Sequence, residues 1–160
     1  MSYQQVVIRQ ALEGEPVERF MQDDITTVSP QTTVHELVED YIYKHHHKMY
    51  PVTDDGRLVG CITTRDVQQV PRTEWEQRTV GDIVEPCGDH NTVKRETDAM
   101  QALSSMNRHE ASRLMVVDDG HLEGILSLKD LLKFISLKVE LEDGEEEVAR
   151  NPLVHESANS

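Results

Sequence analysis

Aromatic residues are scarce, with one Trp, four Tyr and two Phe in 160 residues, so aliphatic side chains must build whatever core forms. The two cysteines, Cys61 and Cys87, are too few for a disulfide framework. Cys61 sits inside an apolar strand pattern and reads as a small hydrophobe. No apolar run approaches the roughly 18 residues that cross a bilayer, and Met-Ser-Tyr-Gln-Gln at the start lacks the basic-then-apolar order of a secretory signal. The chain as given reads as cytoplasmic. Basic residues are outnumbered, 16 against 30 acidic, and a net charge of −14 argues against a nucleic-acid backbone as partner, since such binding needs clustered Lys and Arg. There is also no Gly-rich phosphate loop, no His-Glu-x-x-His, no nucleophile elbow and no paired Cys motif, so this chain is not expected to be an enzyme.

What the chain does contain is one statement made twice. Pro51-Val-Thr-Asp-Asp-Gly-Arg-Leu-Val-Gly-Cys-Ile-Thr-Thr-Arg-Asp66 returns 64 residues later as Met115-Val-Val-Asp-Asp-Gly-His-Leu-Glu-Gly-Ile-Leu-Ser-Leu-Lys-Asp130. Asp-Asp-Gly, Leu, Gly and the final Asp coincide without a gap, and the hydroxyl of Thr63 is answered by that of Ser127. Core packing alone would not preserve a hydroxyl and a carboxylate three residues apart, so two related small-molecule sites are suggested. Ordinary helix capping is the competing explanation, because Ser or Thr as N-cap with Asp in the first turn needs no ligand.

The rest of each copy follows in order. Val7, Ile8, Ala11 and Leu12 have helical spacing, and Gly14 with Pro16 ends that helix. Val17-Glu-Arg-Phe-Met21 then matches Val80-Gly-Asp-Ile-Val84, so the duplication begins before the hairpin. Thr26-Thr27-Val28 and Asn91-Thr92-Val93 are strand candidates; Val34, Leu37, Val38, Tyr41 and Ile42, and likewise Ala99, Ala102, Leu103 and Met106, mark a helix in each copy. Asp-Gly between apolar runs predicts a tight hairpin. The units are therefore an N-terminal helix over 1–15, repeats over 16–78 and 79–138, and an acidic tail over 139–160 expected to be disordered.

This order, with Gly-x-x-Thr/Ser-x-x-Asp at the entry to the last helix, resembles the cystathionine beta-synthase (CBS) domain, which occurs in tandem pairs. The resemblance implies an α/β (α+β) fold: two β-α-β-β-α repeats packed as a pseudo-twofold module (the Bateman module), two clefts for adenosine-containing ligands, and a homodimer of modules. A narrower likeness, carried by Ser2-Tyr3-Gln4-Gln5, Ala11 to Val17, His46-His47-Lys48-Met49-Tyr50-Pro51-Val52, Val70 to Trp75 and Ser112 to Val117, is to the C-terminal region of site-2 protease family zinc metalloproteases. It implies a regulatory portion attached to, or acting on, a membrane protease domain in cis or in trans, and hence the cytosolic part of an integral membrane protein.

The candidate ligands under that resemblance are AMP, ATP and S-adenosylmethionine, with no cofactor required. Thr63 and Ser127, at helix N-termini, face an anion; Asp66 and Asp130 take the ribose diol, the role those positions have in the resembled family. Arg65, Lys129, Lys48 and Arg113 supply positive charge. Ile25, Val28, Tyr50 and Pro51 in one repeat, and Leu114 and Met115 in the other, are the expected walls for the base. The second copy departs from the first at Met115, in place of Pro51, and at Glu123, in place of Val59; the first has Met49 where the second has Arg113. A platform that binds no ligand and holds subunits together is the alternative function. His45-His46-His47, with His35 upstream, is read as a solvated or dimer-facing helix end, since consecutive helical side chains point about 100° apart and cannot share an ion. Trp75, between the repeats, is expected to anchor its linker.

Overall fold

The hairpins set the frame. In the computed structural model, which describes residues 2–150 and side chains to residue 142, β1 (Met49–Asp54) pairs antiparallel with β2 (Arg57–Thr63), and β5 (Arg113–Asp118) pairs with β6 (His121–Ser127) in the same register. Each two-residue turn has both central residues at positive φ, Asp55 and Gly56 at 49° and 78°, Asp119 and Gly120 at 49° and 79°. Such turns match the right-handed twist of the strands, which is why Asp-Gly occupies both. Each hairpin also carries a register shift at the same place, between Val52 and Thr53 and between Val116 and Val117.

The repeats exchange their leading segments. β3 (Glu85–Pro86), from the start of the second repeat, joins the first hairpin to give the order β1-β2-β3. Reciprocally, Gln22 bridges to Ile125 of β6, and β4 (Thr92–Val93) runs parallel to β5. The hydrogen bonds obey the same symmetry: Val17 N–H donates to Thr97 O over 2.8 Å and Val80 N–H to Thr32 O over 2.7 Å, while Ala99 N–H donates to Glu15 O and Val34 N–H to Arg78 O. A pseudo-twofold arrangement follows. The first sheet takes a strand from the second copy, and the second sheet is met by a single bridge from the first.

Helices cover the sheets. The first repeat has an unbroken helical stretch made of α2 (Val34–Glu36), a π-helical turn (Leu37–Ile42) and α3 (Tyr43–His45), capped at its start by the Thr33 hydroxyl and ended at His46 with φ 63°. α4 (Thr64–Gln68) follows β2, and α5 (Val80–Ile83) opens the second repeat. The second repeat contributes α6 (Ala99–His109), capped by Asp98, and α7 (Leu128–Arg150). α7 continues as helix through residues 139–150, where a disordered tail was expected; residues 151–160 lie outside the described residues. The strand expected over Thr26-Thr27-Val28 contracts to a single parallel bridge between Val28 and Val52.

Three apolar clusters result. Val28, Val34, Leu37, Tyr50, Val52, Ile62 and Val80 form the first repeat's core. Leu103, Met106, Leu114, Val116, Leu126 and Leu131 form the second, and α1 (Tyr3–Leu12) docks there through Ala11 and Leu12. Met49, Cys61 and Met115 pack between the two sheets. Trp75 holds the linker down, its indole N–H donating to Val70 O over 3.0 Å and its ring packing on the first core.

Candidate functional site

β2 delivers Thr63 to the start of α4, and antiparallel pairing sets it opposite Met49 at the beginning of β1. There Thr63 and Asp66 form a reciprocal cap. The Thr63 N–H and Oγ1–H both donate to Asp66 Oδ2 over 2.9 Å, and the Asp66 N–H donates to Thr63 Oγ1 over 3.2 Å. This satisfies backbone donors that a helix start leaves open. The cap uses one carboxylate oxygen, Asp66 Oδ2, and leaves Oδ1 outside it.

Around this pair opens a cleft of about 510 Å³, lined by both repeats. From the first come Lys48, Met49, Cys61, Thr63, Thr64, Arg65, Asp66 and Gln68; from the second come Glu85, His90, Asn91, His109, Glu110, Ala111, Ser112 and Arg113. Lys48, Arg65 and Arg113 thereby line one cleft with Thr63 and Asp66; Arg113, expected at the second copy's site, lies at the first instead. Asn91 is the one buried polar side chain among the described residues, 5 % exposed; its Nδ2 donates to Pro86 O over 3.1 Å and its Oδ1 accepts from Gly88 N–H, which fixes the cleft floor.

The remaining expected residues sit elsewhere. Tyr50, Pro51 and Val28 are buried in or beside the first core, and Tyr50 is held there by its hydroxyl, which donates to Tyr41 O over 3.0 Å and accepts from His47 N–H. Leu114 lies in the second core and Met115 between the sheets, both fully buried. Neighbouring residues alternate between the two faces of a strand, and both faces are covered here, so Leu114 enters the second core while Met115 enters the packing between the sheets. The base walls named from the sequence therefore are not part of the lining of the first cleft. Ser127, Lys129 and Asp130 form the equivalent corner at α7, where the Asp130 N–H donates to Ser127 Oγ over 3.1 Å.

The two corners differ in one neighbour. At the second, Gln22 Nε2 donates to Asp130 Oδ2 over 3.1 Å. At the first, the exchanged segment brings Glu85 instead, with its carboxyl in hydrogen-bonding reach of Asp66 and Glu85 Oε2 4.0 Å from Cys61 Sγ. Burial and the Asp66 charge push the Glu85 carboxyl above its ordinary range, against the pull of His90 and Arg65. Burial, then Glu85, push the Cys61 thiol up to about 12, so it is an inert structural thiol. Glu85, His90, Asn91 and His109 were not foreseen as site residues, although the match of Val17–Met21 with Val80–Val84 was the available sign that a leading segment accompanies each hairpin.

A larger hollow, about 630 Å³, lies between α1 and α6, lined by Arg9, Glu13, Asp98 and Arg108 among others. Three of its charges are already engaged: Arg9 pairs with Glu13 at 3.0 Å, and Asp98 caps α6 and accepts from Gly14 N–H. The smaller cleft carries the chemistry. Among the described residues, no group of three His, Cys, Asp or Glu side chains could hold a metal ion, and no helix is long and apolar enough to cross a membrane.

Comparison with known proteins agrees with this architecture. The CBS domain model matches residues 17–71 and 80–137. The chain is 35 % identical over 130 residues to inosine-5'-monophosphate dehydrogenase of Pasteurella multocida (78 % of this chain, 26 % of that protein). It is 34 % identical over 119 residues to the zinc metalloprotease MJ0392 of Methanocaldococcus jannaschii (72 % and 32 %). It thus spans about a quarter to a third of the length of these relatives. Among solved structures, the CBS domain of a bacterial CNNM/CorC family Mg2+ transporter in complex with ATP superposes with a TM-score of 0.69 at 23 % identity, covering 83 % of this chain and 97 % of that one. CBSX2 in complex with AMP superposes with a TM-score of 0.68 at 26 % identity, covering 79 % and 99 %. With two matched segments and this exchanged two-sheet fold, the chain belongs to the CBS domain family, as a tandem pair.

Proposed function

We propose that this CBS pair is a regulatory module that binds an adenine nucleotide or a related adenosyl ligand in the cleft at Thr63 and Asp66. One observation carries the reading: in a chain of net charge −14, one cleft built from both repeats, which also holds Asp66, Glu85 and Glu110, gathers the cations Lys48, Arg65 and Arg113. Phosphates would meet these cations, and the oxygen of Asp66 outside the cap would accept from a ribose hydroxyl. The AMP and ATP held by CBSX2 and by the CorC-family domain support the ligand class. Because both repeats line the cleft, a ligand there bears on their relative arrangement, and that difference is what a sensor transmits. The likeness to MJ0392 supports a zinc metalloprotease as the regulated partner, in cis or in trans.

A second reading, a ligand-free platform, is favoured by the closed cap at Thr63 and Asp66 and by the Gln22–Asp130 bond, which already occupy much of the polar capacity of both corners. Calorimetric titration with AMP, ATP and S-adenosylmethionine separates the two. The sensor gives saturable heat that Asp66→Ala abolishes and Asp130→Ala leaves in place. The platform gives no heat at millimolar ligand and a stable dimer by sedimentation.

A further inference from the structure

The two corners are equivalent by sequence offset and by strand pairing, yet they place different chemistry beside the carboxylate. Gln22 opposite Ile125 and Glu85 opposite Cys61 occupy matching positions in the exchanged edges. Gln22 gives Asp130 a permanent donor. Glu85 gives Asp66 a donor only while it carries a proton, and an additional acceptor once it does not.

We infer that Glu85 is the second acceptor for a ribose cis-diol in the first cleft, so that this cleft selects nucleotides with both hydroxyls free and binds them with release of a proton. The inference rests on the adenine-nucleotide reading above. Two carboxylates side by side are unfavourable as bare anions, and two hydroxyl donors resolve the conflict by giving each carboxylate its own hydrogen bond. A single hydroxyl leaves one carboxylate without a donor. The groups facing Glu85 are Asp66 and Arg65 on α4, Cys61 on β2 and His90 beyond β3. Burial and Asp66 favour the protonated form in the empty cleft, while Arg65 and His90 keep the ionised form within reach when a diol arrives. The second cleft lacks this device, because the Gln22 amide already occupies an Asp130 oxygen and has no proton to give up.

The test is calorimetry on the whole chain with ATP and 2'-deoxy-ATP, each in two buffers of different ionisation heat, for the native chain, Glu85→Gln and Gln22→Glu. The expected native preference for ATP is about tenfold, the worth of one charge-assisted hydrogen bond, with proton release as pH is varied below neutrality. Glu85→Gln should abolish the proton release and weaken the preference, because its amide oxygen is a neutral acceptor, while still binding ATP; Gln22→Glu should change neither. Equal discrimination and equal proton release in Glu85→Gln overturn the inference and leave the nucleotide reading standing. Absence of ATP binding to the native chain overturns both. Carboxyl carbon NMR of the ligand-free chain is independent of either: Glu85 should titrate above the ordinary range and fall in Asp66→Asn, and an ordinary titration overturns the carboxyl pair itself.

Discussion

Glu85 stands beside Asp66 where, in the other half of the molecule, Gln22 donates to Asp130 over 3.1 Å. Two corners descended from one pattern therefore respond differently to pH. Below the ordinary Glu value of 4.5 the Glu85 carboxyl is protonated in folded and unfolded chains alike. As pH rises through the raised folded value, the unfolded chain loses this proton more readily, so folding stability falls. Glu85→Gln removes that loss. Its melting temperature should equal that of the native chain near pH 4 and exceed it near pH 7; a constant difference across this range would contradict the assignment.

Glycine recurs at positions 60 and 124 because another strand passes over each. A Cβ on Gly60 would lie 2.0 Å from Glu85 O, and one on Gly124 would lie 2.8 Å from Gln22 O and 2.9 Å from Met21 Sδ. Gly60→Ala should cost about 3 kcal/mol by overpacking, and Gly124→Ala about 1–2 kcal/mol, since part of its obstruction is a flexible side chain. Urea unfolding measures both. The reverse order would place the tighter crossing in the wrong half.

Tyr50 separates packing from binding. Its hydroxyl bonds only to Tyr41 O and His47 N–H, and its ring is buried. Tyr50→Phe should therefore cost about 1–2 kcal/mol of stability for two lost, partly buried hydrogen bonds and leave nucleotide affinity unchanged. A selective loss of affinity without loss of stability would return Tyr50 to the binding surface.

The thiols offer a simple check on the inter-sheet packing. Cys61 is buried, with its thiol pushed up to about 12, whereas Cys87 is exposed. Ellman's reagent at pH 8 should find one reactive thiol in the folded chain and two after denaturation. Rapid reaction of both would mean that the sheets part readily.

Local chemistry was legible wherever it is local in cause. Asp-Gly announced both hairpins, Thr63 and Ser127 announced the caps of the following helices, and the apolar spacing from Ala99 to Met106 announced α6, because each depends on residues within a few positions. Trp75 anchors its linker as a lone large aromatic should. What the residues did not reveal is set by exchange between the repeats. Glu85 reaches the cleft at Thr63 only because the second copy's leading segment pairs with the first hairpin, and Tyr50 turns inward only once β1 has found its core. Along α7, the acidic run after Lys138 looked solvated, yet helix continues through it, an outcome that the charge pattern alone does not decide.

A nucleotide should land in the cleft at Thr63 and Asp66. Amide ¹H–¹⁵N spectra of the labelled chain, recorded while ATP is added to millimolar concentration, should shift first and furthest at Thr63, Thr64, Arg65, Asn91 and Arg113, with Ser127 to Asp130 moving less. Spectra that do not change, or shifts confined to the hollow between α1 and α6, would contradict it.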